Sequence, residues 1–250
     1  GQTNYKFENN SGVITRAAQI TEFGLGYSRE IWRKQDNKVT AGIRPRFINA
    51  GLSNALVFVE NIENTRTLFD SLDKSNFKYT TDFGLDLGVA YTGKQYQLGA
   101  TIINLNEPDF QFPSTDVTGI DNPDLIAAIR STETYVMERQ LKLEAGLVTD
   151  DGAWGINFGL DANAIPDPMR DDYQWLSVGG NYASDSWWLP GARIGARRNL
   201  VGTELTYVTA GVTLFNVLNI DIASTVETIS INDKTRPRGL IANIGFNVLF

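Results

Sequence analysis

Residues 240–250 read Leu240-Ile-Ala-Asn-Ile-Gly-Phe-Asn-Val-Leu-Phe250. Successive side chains of an extended chain point to opposite sides. Leu240, Ala242, Ile244, Phe246, Val248 and Phe250 therefore share one face, and Ile241, Asn243, Gly245, Asn247 and Leu249 share the other. One face is apolar throughout. The other carries amides and glycine, which no packed soluble core would choose. The segment also finishes on an aromatic residue at the end of the alternation.

The same period of two recurs upstream. Phe83, Leu85, Leu87, Val89 and Tyr91 alternate with Asp82, Gly84, Asp86, Gly88 and Ala90. Leu141, Leu143, Ala145 and Leu147 alternate with Lys142, Glu144 and Gly146, and Trp154, Ile156, Phe158 and Leu160 with Asn157, Gly159 and Asp161. The pattern predicts about eleven strands, near 17–32, 39–52, 79–92, 96–105, 135–149, 153–164, 173–184, 192–200, 204–217, 219–231 and 238–250. Pro45 interrupts the second, which points to an edge or a bulge there. Residues 1–13, where Tyr5 and Phe7 alternate with Lys6 and Glu8, offer a twelfth.

The connections alternate in length. Short turns fall at Lys34–Lys38, Gly93–Gln95, Asp150–Gly152 and around Asn219, and longer ones at Asn61–Lys78, Asn106–Thr134, Pro166–Asp172 and Asn232–Pro237. Ser184–Gly191 is long for the first set and Asn199–Thr203 short for the second. Membrane barrels segregate loops this way, with short periplasmic turns and long outer loops. Aromatic residues gather at strand ends: Tyr27, Trp32, Tyr91, Tyr96, Trp154, Tyr173, Trp175, Tyr182, Trp187 and Trp188. Such belts mark membrane interfaces, and Trp32, Tyr91, Tyr96, Trp154, Tyr182, Trp187 and Trp188 are the expected interface set. Phe250 is the expected C-terminal assembly signal. The expected fold is all-β: one transmembrane antiparallel up-and-down barrel domain over 1–250, of about twelve strands, more if the chain extends upstream. The competing fold is a soluble sandwich or lipocalin-like barrel.

Composition narrows the chemistry. The 250 residues carry net charge −7, with no Cys and no His. An acidic chain lacks the cation excess that nucleic acid requires. Disulfides, thiolate metal sites and cysteine nucleophiles are excluded, and so are Ser-His-Asp triads and most catalytic zinc sites. No G-x-S-x-G motif occurs. No apolar run approaches the roughly 18 residues of a membrane helix, which says nothing against strands. The expectation is a protein without catalytic residues, cofactor or metal, placed in the bacterial outer membrane.

Five segments carry a resemblance: Leu98-Gly-Ala-Thr-Ile-Ile-Asn-Leu-Asn-Glu-Pro108, Tyr135-Val-Met-Glu-Arg-Gln-Leu-Lys-Leu-Glu144, Gly159-Leu-Asp-Ala-Asn-Ala-Ile-Pro-Asp-Pro168, Ser184-Asp-Ser-Trp-Trp-Leu-Pro-Gly191 and Arg198-Asn-Leu-Val-Gly-Thr-Glu204. Over about Phe83 to Phe250 the chain resembles the outer-membrane β-barrel family of conjugal transfer TraF-like proteins. The resemblance implies a barrel fold, an outer-membrane location, and a signal peptide with further N-terminal sequence upstream. It implies a structural or accessory role in a cell-envelope assembly, with the bilayer, the outer-membrane assembly machinery and other envelope proteins as partners. It carries no catalytic residues.

By parity the inward faces collect Glu22, Arg44, Arg46, Asp82, Asp86, Lys142, Glu144, Asp161, Arg193, Arg197, Asp221 and Glu227. Charges of both signs are expected to pair across a narrow, largely occluded lumen. The alternative is a channel or transporter for small or hydrophobic solutes, gated by the 106–134 loop. In that loop Asn122, Pro123 and Asp124 suit the start of a short helix, with Leu125, Ile126 and Ile129 on one face. Phe110 and Phe112 stand nearby, either packing the loop down or lining a pocket. Asp167, Asp171 and Asp172 match no calcium-loop spacing and read as solvated loop charge.

Overall fold

In the computed structural model the described residues are 12–58, 77–118, 120, 123–131, 133–184, 186, 188–215, 217–231 and 234–246. The strands are β1 (Gly12–Gly24), β2 (Tyr27–Lys34), β3 (Asn37–Phe58), β4 (Lys78–Thr92), β5 (Tyr96–Ile103) and β6 (Asp109–Gln111), followed after helix α1 (Pro123–Arg130) by β7 (Thr134–Val136), β8 (Gln140–Val148), β9 (Trp154–Asp161) and β10 (Ile165–Pro166). Then come β11 (Asp172–Tyr173), β12 (Trp175–Tyr182), β13 (Gly191–Asn199), β14 (Thr206–Leu214), β15 (Leu218–Thr225), β16 (Thr228–Ile231), β17 (Lys234–Pro237) and β18 (Leu240–Phe246).

Twelve strands form one antiparallel sheet in the order β1-β3-β4-β5-β8-β9-β12-β13-β14-β15-β18, with β2 also on β3. β1 pairs with the second half of β3 and β2 with the first half, so β1 and β2 make one row. The row breaks at Leu25–Gly26, opposite Pro45, whose carbonyl accepts the Leu25 N–H at 3.2 Å. Pro45 has no N–H to give the ladder, and the register is the same on both sides of the break, so the expected bulge is not at Pro45; the register shift between β2 and β3 falls at Ile31, between Glu30 and Trp32. Every row hydrogen-bonds its neighbour in sequence, which makes the sheet an up-and-down meander. Among the described residues no pairing joins the β1/β2 edge to β18, so closure into a barrel is not part of the observed pairing.

The three remaining ribbons, β6/β7, β10/β11 and β16/β17, all grow from the same end of the sheet, within long connections. The other end carries the short turns, one of them just Gln35–Asp36, with Gln35 at φ 55°. Two expected strands are thereby corrected. The run 135–149 is two elements, because β7 belongs to a ribbon and the ladder resumes only at Gln140. The run 219–231 leaves the sheet at Thr225, and β16 pairs with β17. Alternation alone cannot separate a ribbon strand from a sheet strand. The expected twelfth strand, Phe250 and Trp187 lie outside the described residues.

The loop after β5 folds back onto the sheet. Phe110, Phe112, Tyr135 and Met137 cluster with Ile48, Ala50 and Leu52 of β3, and Phe110 is fully buried. This is the packing alternative for the loop aromatics. Helix α1 starts at Pro123, carries Asp124 in its first turn and Arg130 in its last, and buries Ile129. Tyr135 stacks on Phe110, their centroids 6.5 Å apart. Burial pushes its phenol well above the ordinary range, and nearby Tyr173, Asp167 and Glu138 add to this. Tyr173 on β11 is pushed up to about 12, first by burial and then by the carboxylates of Asp161 and Asp167.

A raised phenol pKa means that the packed state holds its proton more tightly than the open chain. Packing of the two tyrosines is therefore at full strength below the ordinary tyrosine value of about 10; for Tyr173 it is lost as pH rises through about 12, and for Tyr135 at higher pH still. Tyrosinate absorbance during an alkaline titration should show these two residues ionising last, together with loop detachment. Ionisation of every tyrosine near 10, with the loop still docked, would contradict the packing described.

Candidate functional site

The two faces of the sheet are chemically distinct. One carries Leu143, Leu147, Ile156, Phe158, Val178, Ile194, Val208, Val212, Ile222 and Ile244, all exposed, Ile194 to 70%. Soluble monomers rarely expose apolar patches beyond a few hundred Å², and these residues run across seven strands. At the short-turn end it is bordered by aromatics. Tyr91 and Tyr96 lie 5.8 Å apart, and Trp154 and Tyr182, register partners, 4.9 Å apart. Trp32 and Trp188 are exposed at the same end. Towards the loop end Phe23, Phe47 and Phe83 are register partners across three rows, and beyond them the face turns polar with Thr21, Asn49 and Thr81. Arg29, on the edge row, is a charged exception. Trp175 was grouped with the strand-end aromatics, but it points to the opposite face.

That opposite face is polar and rich in glycine. From β5 to β15 it lines a cavity of about 790 Å³. Glycines stand opposite polar residues in the register, and the polar side chains lie flat over them. A β-carbon on Gly155 would come within 2.6 Å of Asn181 Oδ1, and one on Gly159 within 2.6 Å of Ser177 Oγ. The missing side chains leave both the room for these groups and the open space of the cavity.

Most of the expected inward charges pair on this face, but along the wall and not across the cavity. Arg46, 6% exposed, donates from Nη1 to both Glu22 oxygens at 2.8 Å and from Nη2 to Asp86 at 3.0 Å. It also donates to Asn104 Oδ1. Asp86 further accepts from Arg44 at 2.9 Å and from the Asn104 N–H at 3.0 Å. Lys142 reaches Asp161 on the next strand at 2.8 Å. Arg193 reaches across Gly211 to Asp221 at 2.7 Å and to Asn219 at 3.1 Å. These bonds join adjacent or next-adjacent strands because the flat lie over glycine keeps side chains close to the sheet. The expectation of pairing across the lumen is corrected accordingly.

Four expected residues behave differently. Asp82 accepts the Asp109 N–H at 3.1 Å and so anchors the folded-back loop. Glu227 is not on the wall: it follows the end of β15, and both its oxygens accept the Thr206 N–H at 3.0 Å. Those bonds hold its carboxyl below the ordinary range. Arg197 forms no ion pair among the described residues; its guanidinium lies 4.5 Å from the Trp175 ring centroid and 4.9 Å from that of Tyr207. Glu144 borders the cavity, also without an ion pair among the described residues. Sequence reasoning missed Asn104, Asn157, Asn181 and the aromatic bracket of Arg197. Their one signal was the placement of amides and glycines on the same parity as the charges. Among the Asp167–Asp172 carboxylates, Asp167 accepts the Asp171 N–H at 2.9 Å, which closes a turn.

Fold and site define a class: an antiparallel β-meander with one apolar, aromatic-bordered face and one polar, glycine-rich face. Residues 2–161 match the family model described as F plasmid transfer operon, TraF, protein. The match covers more than half the chain, and the chain belongs to this family. It includes the Leu98–Pro108 and Tyr135–Glu144 segments, while Ser184–Gly191 and Arg198–Glu204 lie beyond it. No curated protein is similar enough to the chain to be matched.

Proposed function

We propose that this protein is a non-enzymatic β-barrel of the bacterial outer membrane, acting as a structural or accessory part of a cell-envelope assembly for conjugal transfer. The carrying observation is the exposed apolar face, bordered by aromatic side chains at one end and by the Phe23–Phe47–Phe83 row at the other. Lipid would cover that face, and the polar face would line the interior. The family supports the transfer assignment. The absence of His and Cys from the sequence supports a role without histidine or thiol chemistry. Partners in this reading are the bilayer, the outer-membrane assembly machinery and other envelope proteins. The edge rows β1/β2 and β18 run in the same direction, so antiparallel closure takes an odd number of further strands between them.

The test is Ile194→Arg, in the middle of β13. In lipid vesicles near the bilayer midplane it should cost about 2 to 4 kcal/mol of folding stability. On a water-covered surface the same change would stay within about 0.5 kcal/mol. A neutral result in a folded, vesicle-associated protein would overturn the reading.

A second reading is favoured by the 790 Å³ cavity: a channel or transporter for small solutes. In that case purified protein in liposomes should pass solute without other proteins.

A further inference from the structure

Four adjacent strands contribute one register row to the polar face. Glu144 is opposite Gly159, Gly159 opposite Ser177, and Ser177 opposite Arg197. All four border the cavity. The row therefore has an acid at one end, a base at the other, and a small-residue floor between them. Neither charge has an ion-pair partner among the described residues, unlike Arg44, Arg46, Lys142 and Arg193 on the same face.

The two ends are held apart. The Glu144 carboxylate lies on the β5 side, 3.8 Å from where a β-carbon of Gly99 would stand. The Arg197 guanidinium is fixed over Trp175 and Tyr207, which stabilise its charge without cancelling it. Three strand spacings of about 4.8 Å put the two α-carbons on the order of 14 Å apart. The floor stays open because Gly159 has no side chain and Ser177 folds its hydroxyl toward the Gly159 carbonyl, at 3.4 Å. Alongside it Asn157 donates to Asn181 at 3.1 Å, leaving carboxamide hydrogens and lone pairs to face the cavity.

We propose that this row is a binding site for a short zwitterionic peptide of three or four residues. Its ammonium would lie at Glu144, its carboxylate at Arg197, and its backbone amides over Gly159 and Ser177, within reach of Asn157 and Asn181. An extended chain covers at most about 3.3 to 3.6 Å per residue, so three or four residues match the gap. The cavity also has the size of small-ligand sites, which run from about 300 to 1,000 Å³. The proposal deepens the solute-channel reading by naming its substrate class, and it takes the cavity to be the barrel interior.

The experiment is calorimetric titration of detergent-folded protein with tri-alanine, tetra-alanine and the same peptides acetylated and amidated. The free peptides should bind, and the capped ones at least about tenfold more weakly, as expected for loss of a charge-assisted hydrogen bond. Glu144→Gln and Arg197→Met should each weaken binding about tenfold. The exchange Glu144→Arg with Arg197→Glu should restore much of it, with the peptide reversed. A heat-dependent gel shift confirms that each variant is folded, and it tests the barrel separately from the ligand. Folded wild-type protein that binds no peptide, or that binds capped and free peptides equally, would overturn the proposal. So would unchanged affinity in both single variants.

Discussion

Asp86→Ala is expected to cost about 3 to 5 kcal/mol of folding free energy. Asp86 is 3% exposed and accepts from Arg44, Arg46 and the Asn104 backbone. Removing it leaves the buried Arg46 guanidinium with Glu22 and Asn104 alone, and the Asn104 N–H without its acceptor. The cost comes from stranding a buried charge, not from losing a favourable pair, so Asp86→Asn should recover part of it. The contrast is Lys94→Ala. Lys94 pairs with Asp150 at 3.1 Å, but both side chains are about two-thirds exposed, and solvent screens the pair to between about 0 and 1 kcal/mol. Unfolding curves of the three variants check the prediction. Equal, small losses for Asp86→Ala and Lys94→Ala would show that the Arg46 cluster is wet.

Phe110→Ala should be about as severe, but locally. Burying this ring holds β6 against Ile48 and Leu52, and truncating such a ring typically costs about 3 to 5 kcal/mol. In the main sheet β5 pairs directly with β8, without the loop between them. The loss should therefore appear as loop release, measured by protease cutting between β5 and β8 while the rest of the chain stays resistant. If the variant unfolds as a whole, the loop is part of the main cooperative unit.

The period-two faces were legible because parity survives without any knowledge of partners. Ile194 and Arg193 fall on opposite sides whatever strand lies next to them. The rows that alternation marked are the rows observed, within a few residues. Legibility failed where the partner matters. Thr134–Val136 and Thr228–Ile231 alternate as sheet strands do, yet they pair in ribbons. Glu227 kept the right parity but stands past the end of its strand. Trp175 sits at a strand end like Trp154, but it shares the parity of Ser177 and Gly179, and its contact with Arg197 confirms an inward ring. The direction of ion pairing was also hidden. Whether Arg193 crosses the cavity or lies along the wall depends on Gly211 standing beside it, a fact of register.

The most direct test of the central claim uses the absence of cysteine from the sequence. Single cysteines are placed at successive positions along β13, from Ala192 to Arg197, in protein folded into lipid vesicles. Reactivity toward a water-soluble thiol reagent and toward a lipid-dissolved one is then measured at each position. The account predicts strict alternation, with Ala192, Ile194 and Ala196 reached from lipid, and Arg193, Gly195 and Arg197 reached, if at all, from water. Equal labelling of 194 and 195 by the water-soluble reagent in the folded protein would contradict it.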